Sequence, residues 1–170
     1  MVPVSQQSIF FDFVKTPIGR FQISATQTGV ASIAFLRQNR TLKASSKSPR
    51  QVQKILERTK HFLKYFSLGT NQQQNEPPID WHFFTPFERR ILCALKKIQK
   101  GSVISYSALA ERAGVPKAAR AVGNALNRNP IPILIPCHRV IHKNQSLGGY
   151  RMGTHWKQKL LKLEGFEFKV

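Results

Sequence analysis

Cysteine is scarce in this chain. Only two of its 170 residues are cysteines, Cys93 and Cys137, so a disulfide framework is excluded, although a single bridge stays open. No C-x-x-C pair occurs and the five histidines are scattered, which is not the ligand spacing of a zinc site. We therefore expect no metal. Such sparse cysteine is typical of a reducing compartment such as the cytoplasm.

Long hydrophobic runs are also missing. No apolar stretch approaches the ~20 residues that a membrane-spanning helix needs. Residues 1–7 have neither the basic start nor the apolar core of a secretory signal. Because 41% of the residues are hydrophobic, the chain can form a real core. We expect a globular, cytoplasmic protein without membrane contact.

Acidic residues are few beside the basic ones. The chain has 27 Lys and Arg against 8 Asp and Glu, a net charge of +19. Such an excess attracts polyanions, so nucleic acid is the expected partner. An anionic membrane surface is the weaker alternative, because no long basic amphipathic helix accompanies the charge. A generally basic proteome is a further explanation that one sequence does not exclude.

The first half predicts a small antiparallel sheet followed by a helix. Aromatic, β-branched and alternating segments separated by turn residues predict strands, at residues 10–14, 20–25 and 29–35. Residues 40–49 predict a loop, and apolar residues at helical spacing predict a helix over 52–66. The polar stretch 70–78 predicts a linker, so we place the domains at 1–78 and 79–170.

The second half predicts mostly helix. Thr85, Pro86 and Glu88 form a capping-box pattern that begins a helix ending near Gly101. Residues 105–113 and 116–127 predict two helices around a Gly114 turn, a pattern that resembles a helix-turn-helix. A last helix is predicted over 154–163 with Thr154 as its cap. The predicted fold is α/β: a small N-terminal antiparallel sheet with a helix, then a mostly helical C-terminal domain containing the helix-turn-helix.

The second helix of this pair has very little side-chain bulk. Its small residues let the backbone approach another surface closely, and basic residues accompany them. The small positions include Ala118, Ala119 and Gly123, and the basic ones include Arg120 and Arg128. Glycine inside a helix lowers helix stability by about 1 kcal/mol, so its presence at position 123 indicates that the backbone must approach another surface closely there. We expect this helix to dock on DNA, and the alternative is a helix pair packed tightly within a core.

Cys137 follows an entirely apolar approach. Residues 131–136 contain two prolines, which excludes helix and central strand there. His138 and Arg139 follow directly. Apolar surroundings raise the pKa of a thiol, whereas a neighbouring histidine lowers it and favours the nucleophilic thiolate. The alternative is a cysteine that only packs in the core, and Cys93 fits that description well.

Six short motifs together resemble the methylated-DNA–protein-cysteine methyltransferase family, the O-6-alkylguanine-DNA alkyltransferases. The resemblance is strong over residues 80–166 and general before them. The motifs are Val103-Ile-Ser-Tyr106, Arg120-Ala-Val-Gly123, Asn129-Pro130, Ile135-Pro-Cys-His-Arg-Val140, Gly149-Tyr150 and Leu160-Leu-x-x-Glu164.

The resemblance implies a single-use transfer of an alkyl group to the protein. Cys137 would accept the group from O-6 of alkylguanine, with O-4 of alkylthymine as a second substrate. His138 would act as base through a bridging water, and Glu164 would orient and polarise His138. Asn129 would hold the second helix of the pair and the loop that carries Cys137 in place. No cofactor is implied. Relatives that bind a structural zinc use N-terminal cysteines, and no cysteine precedes Cys93 here.

The resemblance also implies DNA contacts. A monomer would bind double-stranded DNA through the minor groove and extrude the target nucleotide. Arg120 would fill the vacated place in the base stack, and Tyr106 would help turn the target phosphate and donate a hydrogen bond to the base. The remaining residues of the DNA-binding helix would be Ala118, Ala119, Gly123 and Arg128. The substrate pocket would comprise Tyr106, Val140, Gly149, Tyr150 and Arg151, and Arg151 would narrow its mouth against bulky alkyl groups. The Cys137 carbonyl and the Val140 amide would contact the guanine edge.

Two other functions stay open on the sequence. The first is a DNA lesion-binding or regulatory protein without transfer, like the alkyltransferase-like proteins. Those lack the acceptor cysteine, so the presence of Cys137 counts against this function. The second is a cysteine hydrolase. Adjacent Cys137 and His138 would point their side chains apart, and a charge of +19 does not suit that reaction.

Overall fold

The computed structural model describes residues 8–36, 43–45, 47–70 and 75–167. Parts of the predicted loop 40–49 and linker 70–78 lie outside these residues. The chain divides into two compact units, residues 1–83 and 84–170. Among the described residues, no helix combines the length and the apolar character needed to cross a membrane.

The first unit is a three-stranded antiparallel sheet with one helix. Strands pair in the order β1-β2-β3, and α1 packs against β1 and β2. The bounds are β1 (Phe10–Thr16), β2 (Gly19–Ala25), β3 (Val30–Leu36) and α1 (Arg50–Ser67). The predicted strands, turn and helix of this half are confirmed.

Alternation along the strands explains the core of this unit. On β2, Phe21 and Ile23 are wholly buried, whereas Gln22 between them is half-buried, as a strand with one covered face requires. Val52 and Leu63 of α1 are also wholly buried. Burying each of these side chains contributes about 1.5–3 kcal/mol.

Residues 79–83 belong to the first unit by their contacts. Ile79 forms a parallel bridge with Val30, and the Asp80 amide donates to the Val30 carbonyl at 3.0 Å. The buried Asp80 carboxylate accepts a hydrogen bond from the Thr26 hydroxyl. These contacts tie the end of the linker to the sheet. The domain limits derived from the sequence stay a prediction.

The second unit consists mainly of helices. Two very short strands pair in parallel, with Ile104 opposite Val140 and Ser105 opposite Ile141. The elements are α2 (Pro86–Lys96), β4 (Ile104–Ser105), α3 (Tyr106–Arg112), α4 (Ala119–Asn127), β5 (Val140–Ile141) and α5 (Thr154–Leu163). A 3-10 turn over Cys137–Arg139 precedes β5. This arrangement confirms the predicted α/β class.

The predicted capping box at the start of α2 is confirmed. The Thr85 hydroxyl accepts from the Glu88 amide at 3.2 Å, and the Glu88 carboxylate accepts from the Thr85 amide at 3.1 Å. At the start of α3 the Ser105 hydroxyl accepts from the Ala108 amide at 3.1 Å. Both caps satisfy amides that have no partner inside their helix.

The predicted start of α4 and the predicted cap of α5 were wrong, whereas the predicted range of α5, 154–163, is confirmed. α4 begins at Ala119 rather than at residue 116, because Lys117 adopts φ +65°, which does not belong to a right-handed helix. α5 is capped by Gly153 at φ +95°, not by Thr154, which is its first helical residue. α3 and α4 pack against each other and against α2. Their assignment as a helix-turn-helix stays a prediction.

Candidate active site

The loop that carries Cys137 is buried along its whole length. Every residue from 131 to 141 is buried, and Cys137 is 8% exposed. The Ile135 amide donates to the Ile131 carbonyl at 2.9 Å, which closes a turn. Ile133 within that turn has φ +73°, a left-handed conformation that is a genuine outlier for a β-branched residue. The surrounding core therefore holds the cysteine loop in a fixed and strained shape.

Asn129 joins this loop to the end of α4. Its amide nitrogen donates to the Ile135 carbonyl at 3.0 Å and to Cys137 Sγ at 3.2 Å. Its amide oxygen accepts from the Ile131 amide at 3.0 Å. Asn129 is 4% exposed, so its polar atoms depend on these partners rather than on water. One side chain thus fixes the loop backbone and the position of the sulfur.

His138 and Glu164 form a buried pair. His138 Nε2 lies 2.8 Å from Glu164 Oε1, and both side chains are 0% exposed. Since an ionised carboxylate only accepts hydrogen bonds, Nε2 carries the hydrogen and the lone pair of a neutral ring is on Nδ1. Burial lowers the pKa of His138, against the raising effect of Glu164. The ring is therefore neutral at pH 7 and able to accept a proton.

Arg139 holds the same carboxylate from the other side. Its Nε and Nη2 donate to the two oxygens of Glu164, each at 2.8 Å, and its Nη1 donates to the Ile98 carbonyl at 2.6 Å. Burial alone would raise the pKa of Glu164. The hydrogen bonds and charges of His138 and Arg139 outweigh burial and lower that pKa to about 2. The carboxylate is therefore ionised at pH 7 and fixed in orientation.

The resting form of Cys137 is the thiol. Burial raises its pKa, and this outweighs the opposing effects of Asn129, Tyr150 and the Lys157 charge. A buried thiol of this kind needs a base before it attacks an electrophile. The arrangement can therefore supply a nucleophile, a neutral base and a group that orients the base. Cys93 lies half-buried on α2.

Lys157 is a site residue that the sequence analysis missed. It is wholly buried, and its ammonium donates to the carbonyls of Val140, at 2.6 Å, and Leu147. Burial lowers its pKa to about 8, against the raising effect of Cys137. A signal was present in the sequence: positions 157, 160, 161 and 164 share one face of α5, and Leu160 marks that face as buried.

The predicted pocket residues differ in exposure. Tyr106 and Tyr150 are half-buried, Val140 is buried, and Gly149 and Arg151 are exposed. Burial raises the pKa of Tyr106 and of Tyr150, and the charge of ionised Cys137 adds to the rise in both. The two phenols are thus electrostatically coupled to the sulfur, whereas Arg151 is a surface residue.

Val140 also forms a backbone hydrogen bond with the cysteine. Its amide donates to the Cys137 carbonyl. These two groups were expected to contact the guanine edge, and in the structure they bond each other.

Around α4, the predicted DNA-binding residues lie at both ends and on one side. Ala118 is the N-cap and Arg120 is exposed in the first turn. A Cβ at Gly123 would lie 3.8 Å from the Tyr106 ring, so the helix backbone contacts that ring closely. Arg128, after the last turn, is 63% exposed and donates through Nε to Glu88 at 2.9 Å. Arg128 therefore has a protein partner as well as a solvent-facing charge.

Metal ligands do not cluster in the described part of the chain. No three His, Cys, Asp or Glu side chains there come together as an ion-binding group would require.

Comparison with known proteins places the chain in a family. The model of the 6-O-methylguanine DNA methyltransferase DNA-binding domain matches residues 86–166. A methylated-DNA–protein-cysteine methyltransferase of Methanosarcina acetivorans is 33% identical over 92% of this chain and 99% of its own length. The human protein of that name is 34% identical over 88% of this chain and 77% of its own. The crystal structure of Mycobacterium tuberculosis OGT in complex with DNA is 30% identical over 91% of both chains, with a TM-score of 0.76. The chain belongs to the methylated-DNA–protein-cysteine methyltransferase family.

Proposed function

We propose that this chain repairs duplex DNA by transferring an alkyl group from O-6 of guanine to the sulfur of Cys137, once per molecule and without a cofactor. The observation that carries the proposal is the site itself. A buried thiol accepts a hydrogen bond from Asn129 at 3.2 Å, next in sequence to a His138 that pairs with Glu164 at 2.8 Å. This is the order of nucleophile, base and orienting group that activated nucleophiles need.

The chemical step starts with proton transfer. His138, neutral because burial lowers its pKa, takes the Cys137 proton through a bridging water. Ionised Glu164 stabilises the imidazolium that results. The thiolate then attacks the alkyl carbon: the S–C bond forms, and the C–O6 bond breaks with its electron pair staying on guanine. The guanine anion takes the proton from His138 through water, which returns the imidazole to its neutral form. The product is a thioether, and no base in this site could reverse that bond.

Access to the alkyl group requires the nucleotide to leave the stack, because O-6 lies inside the duplex. In this proposal α4 enters the minor groove, where Ala118, Ala119 and Gly123 allow close approach. Exposed Arg120 occupies the vacated position in the stack, and Arg128 contributes charge to backbone binding. The protein acts as a monomer. Contacts to phosphate rather than to base edges suit a repair reaction that ignores sequence.

The pocket is formed by Tyr106, Tyr150 and the glycine loop, which comprises residues 148–153. The Cys137 carbonyl and the Val140 amide contact the guanine edge, and this contact replaces the hydrogen bond that they make to each other in the free protein. Arg151 narrows the mouth, so methyl transfers faster than benzyl. The alkyl group on O-4 of alkylthymine, a smaller base than guanine, is a second substrate. Equal rates with methyl- and benzylguanine would contradict the role of Arg151.

The mass of the intact protein tests the proposal. After incubation with a duplex carrying one O-6-methylguanine, we expect a gain of one methyl group, located on the peptide that contains Cys137. Cys137→Ala should gain nothing yet still bind DNA, and Cys93→Ala is the matched control that should react normally. A protein that binds the duplex without gaining mass would instead be a non-catalytic lesion-binding protein.

A further inference from the structure

Tyr106 and His142 occupy equivalent positions after two paired strands. β4 and β5 are parallel, with Ser105 opposite Ile141. The next residue after each strand is Tyr106 and His142. Their ring centroids lie 5.2 Å apart, with 43° between the ring planes. The short parallel ladder therefore brings an imidazole against the phenol that is electrostatically coupled to the cysteine.

The backbone of His142 is fixed by a tight turn. Its amide donates to the Ser146 carbonyl and its carbonyl accepts from the Gln145 amide, each at 2.9 Å, while the residue as a whole is exposed. A Cβ at Gly148 would lie 2.9 Å from His142 Nε2 and 3.1 Å from the Tyr106 hydroxyl. The tips of both rings therefore meet at the backbone of the glycine loop.

The Tyr106 ring is bounded by three segments. Gly123 of α4 approaches its ring carbons, Gly148 approaches its hydroxyl, and His142 contacts its ring. Both glycines lack a side chain that could restrain the ring. Of these three neighbours, only His142 has a side chain that can limit rotation of the Tyr106 ring. Aromatic contacts at this centroid distance are attractive and depend on orientation. Truncating His142 would leave open space beside Tyr106.

We propose that His142 is a positioning residue that holds the Tyr106 hydroxyl where it turns the target phosphate. The inference rests on the proposed function, which gives Tyr106 that role. The effect of His142 therefore falls mainly on substrates that contain a phosphate to be turned.

Single-turnover rates at sub-saturating substrate test this. For His142→Ala, the second-order rate constant with methylated duplex should fall roughly three- to tenfold, the range of one aromatic contact. The rate with the free base O-6-methylguanine should fall less than the rate with duplex, because the free base keeps only the pocket contact of Tyr106 and has no phosphate to be turned. His142→Phe keeps a planar ring and should recover most of the loss on duplex. In a Tyr106→Ala background, His142→Ala should have no further effect.

Lys143→Ala is the matched control, because it removes a neighbouring exposed charge without altering the ring contact. Equal losses in Lys143→Ala and His142→Ala would overturn the inference in favour of simple charge attraction. Equal losses on duplex and free base, or failure of the phenylalanine variant to recover activity, would also overturn it. If wild type itself transfers no methyl group, the proposed function fails instead, so the two failures are distinguishable.

Discussion

Replacing Glu164 by glutamine should destabilise the second unit by about 3 kcal/mol at pH 7. The pKa of Glu164 falls from 4.5 to about 2 on folding, because the hydrogen bonds and charges of His138 and Arg139 outweigh the effect of burial. One pKa unit is worth about 1.4 kcal/mol, so the shift corresponds to about 3 kcal/mol in favour of the folded state. This figure already contains the interaction with buried Arg139, which loses its anionic partner in the variant.

The stabilisation from Glu164 depends on pH. A carboxylate whose pKa is lowered by folding stabilises the protein above its unfolded pKa, here 4.5, and this stabilisation is lost as the pH falls towards 2. Wild type should therefore lose more stability than Glu164→Gln over that range. At pH 2 and below, the difference between the two proteins should be much smaller than at pH 7.

Urea unfolding followed by tryptophan fluorescence measures the effect. A Trp81→Phe background leaves Trp156 of α5 as the remaining tryptophan, so the signal comes from the helix that Glu164 caps at its C-terminus. Glu111→Gln, an exposed change on α3, should stay within about 0.5 kcal/mol of wild type. If Glu164→Gln were as stable as wild type at pH 7, the buried carboxylate would contribute no net stability and the reasoning would be refuted.

Three further predictions concern the site and the DNA surface. Burial lowers the pKa of His138 below its usual value of 6.5, so the ring should stay neutral down to about that pH. The rate of transfer to Cys137 should therefore be nearly constant between pH 7.5 and 6.5 and should fall at lower pH. A fall centred above pH 7 would exclude His138 as the base. Lys157→Met removes a charge that lowers the pKa of Cys137, so less thiolate forms and transfer at pH 7 should slow. Quenched single-turnover reactions on duplex substrate, followed by mass spectrometry, measure the rate, and a rate equal to that of wild type would contradict this effect of Lys157. Arg128→Ala loses an exposed ion pair with Glu88, so the free energy of unfolding should change by less than about 1 kcal/mol. The slope of log K for duplex binding against log salt concentration should fall by about one. An unchanged slope would show that Arg128 does not contact the DNA backbone.

Local signals explain the parts of the fold that were predictable. The capping box at Thr85 depends on residues three apart, and the strand around Phe21 depends on alternation over a few positions. Both lie within one stretch of chain, so the sequence displays them directly. The start of α4 was not predictable in this way, because Pro116 is favourable in a first helical turn and only the left-handed conformation of Lys117 excludes it.

The candidate site was only partly predictable from the sequence. Cys137, His138 and Glu164 were named because their motifs resemble those of a family, and the structure brings His138 and Glu164 together. The pairing of Arg139 with Glu164 joins residues 25 apart, and no local pattern indicates it. Lys157 was missed because lysine is almost never fully buried unless paired. Its place on the apolar face of α5 was the one available signal.

The strained turn at Ile133 affects the order in which the protein loses activity and structure on heating. A residue held in such a conformation stores about 1–3 kcal/mol, which the surrounding core must restrain. When heat or denaturant loosens that core, Ile133 can relax to an ordinary extended conformation before the helices unfold. The sulfur four positions later would then move away from Asn129. We expect loss of transfer activity to precede loss of helical circular dichroism on heating, so the temperature at which the protein stops working lies below the temperature at which it unfolds.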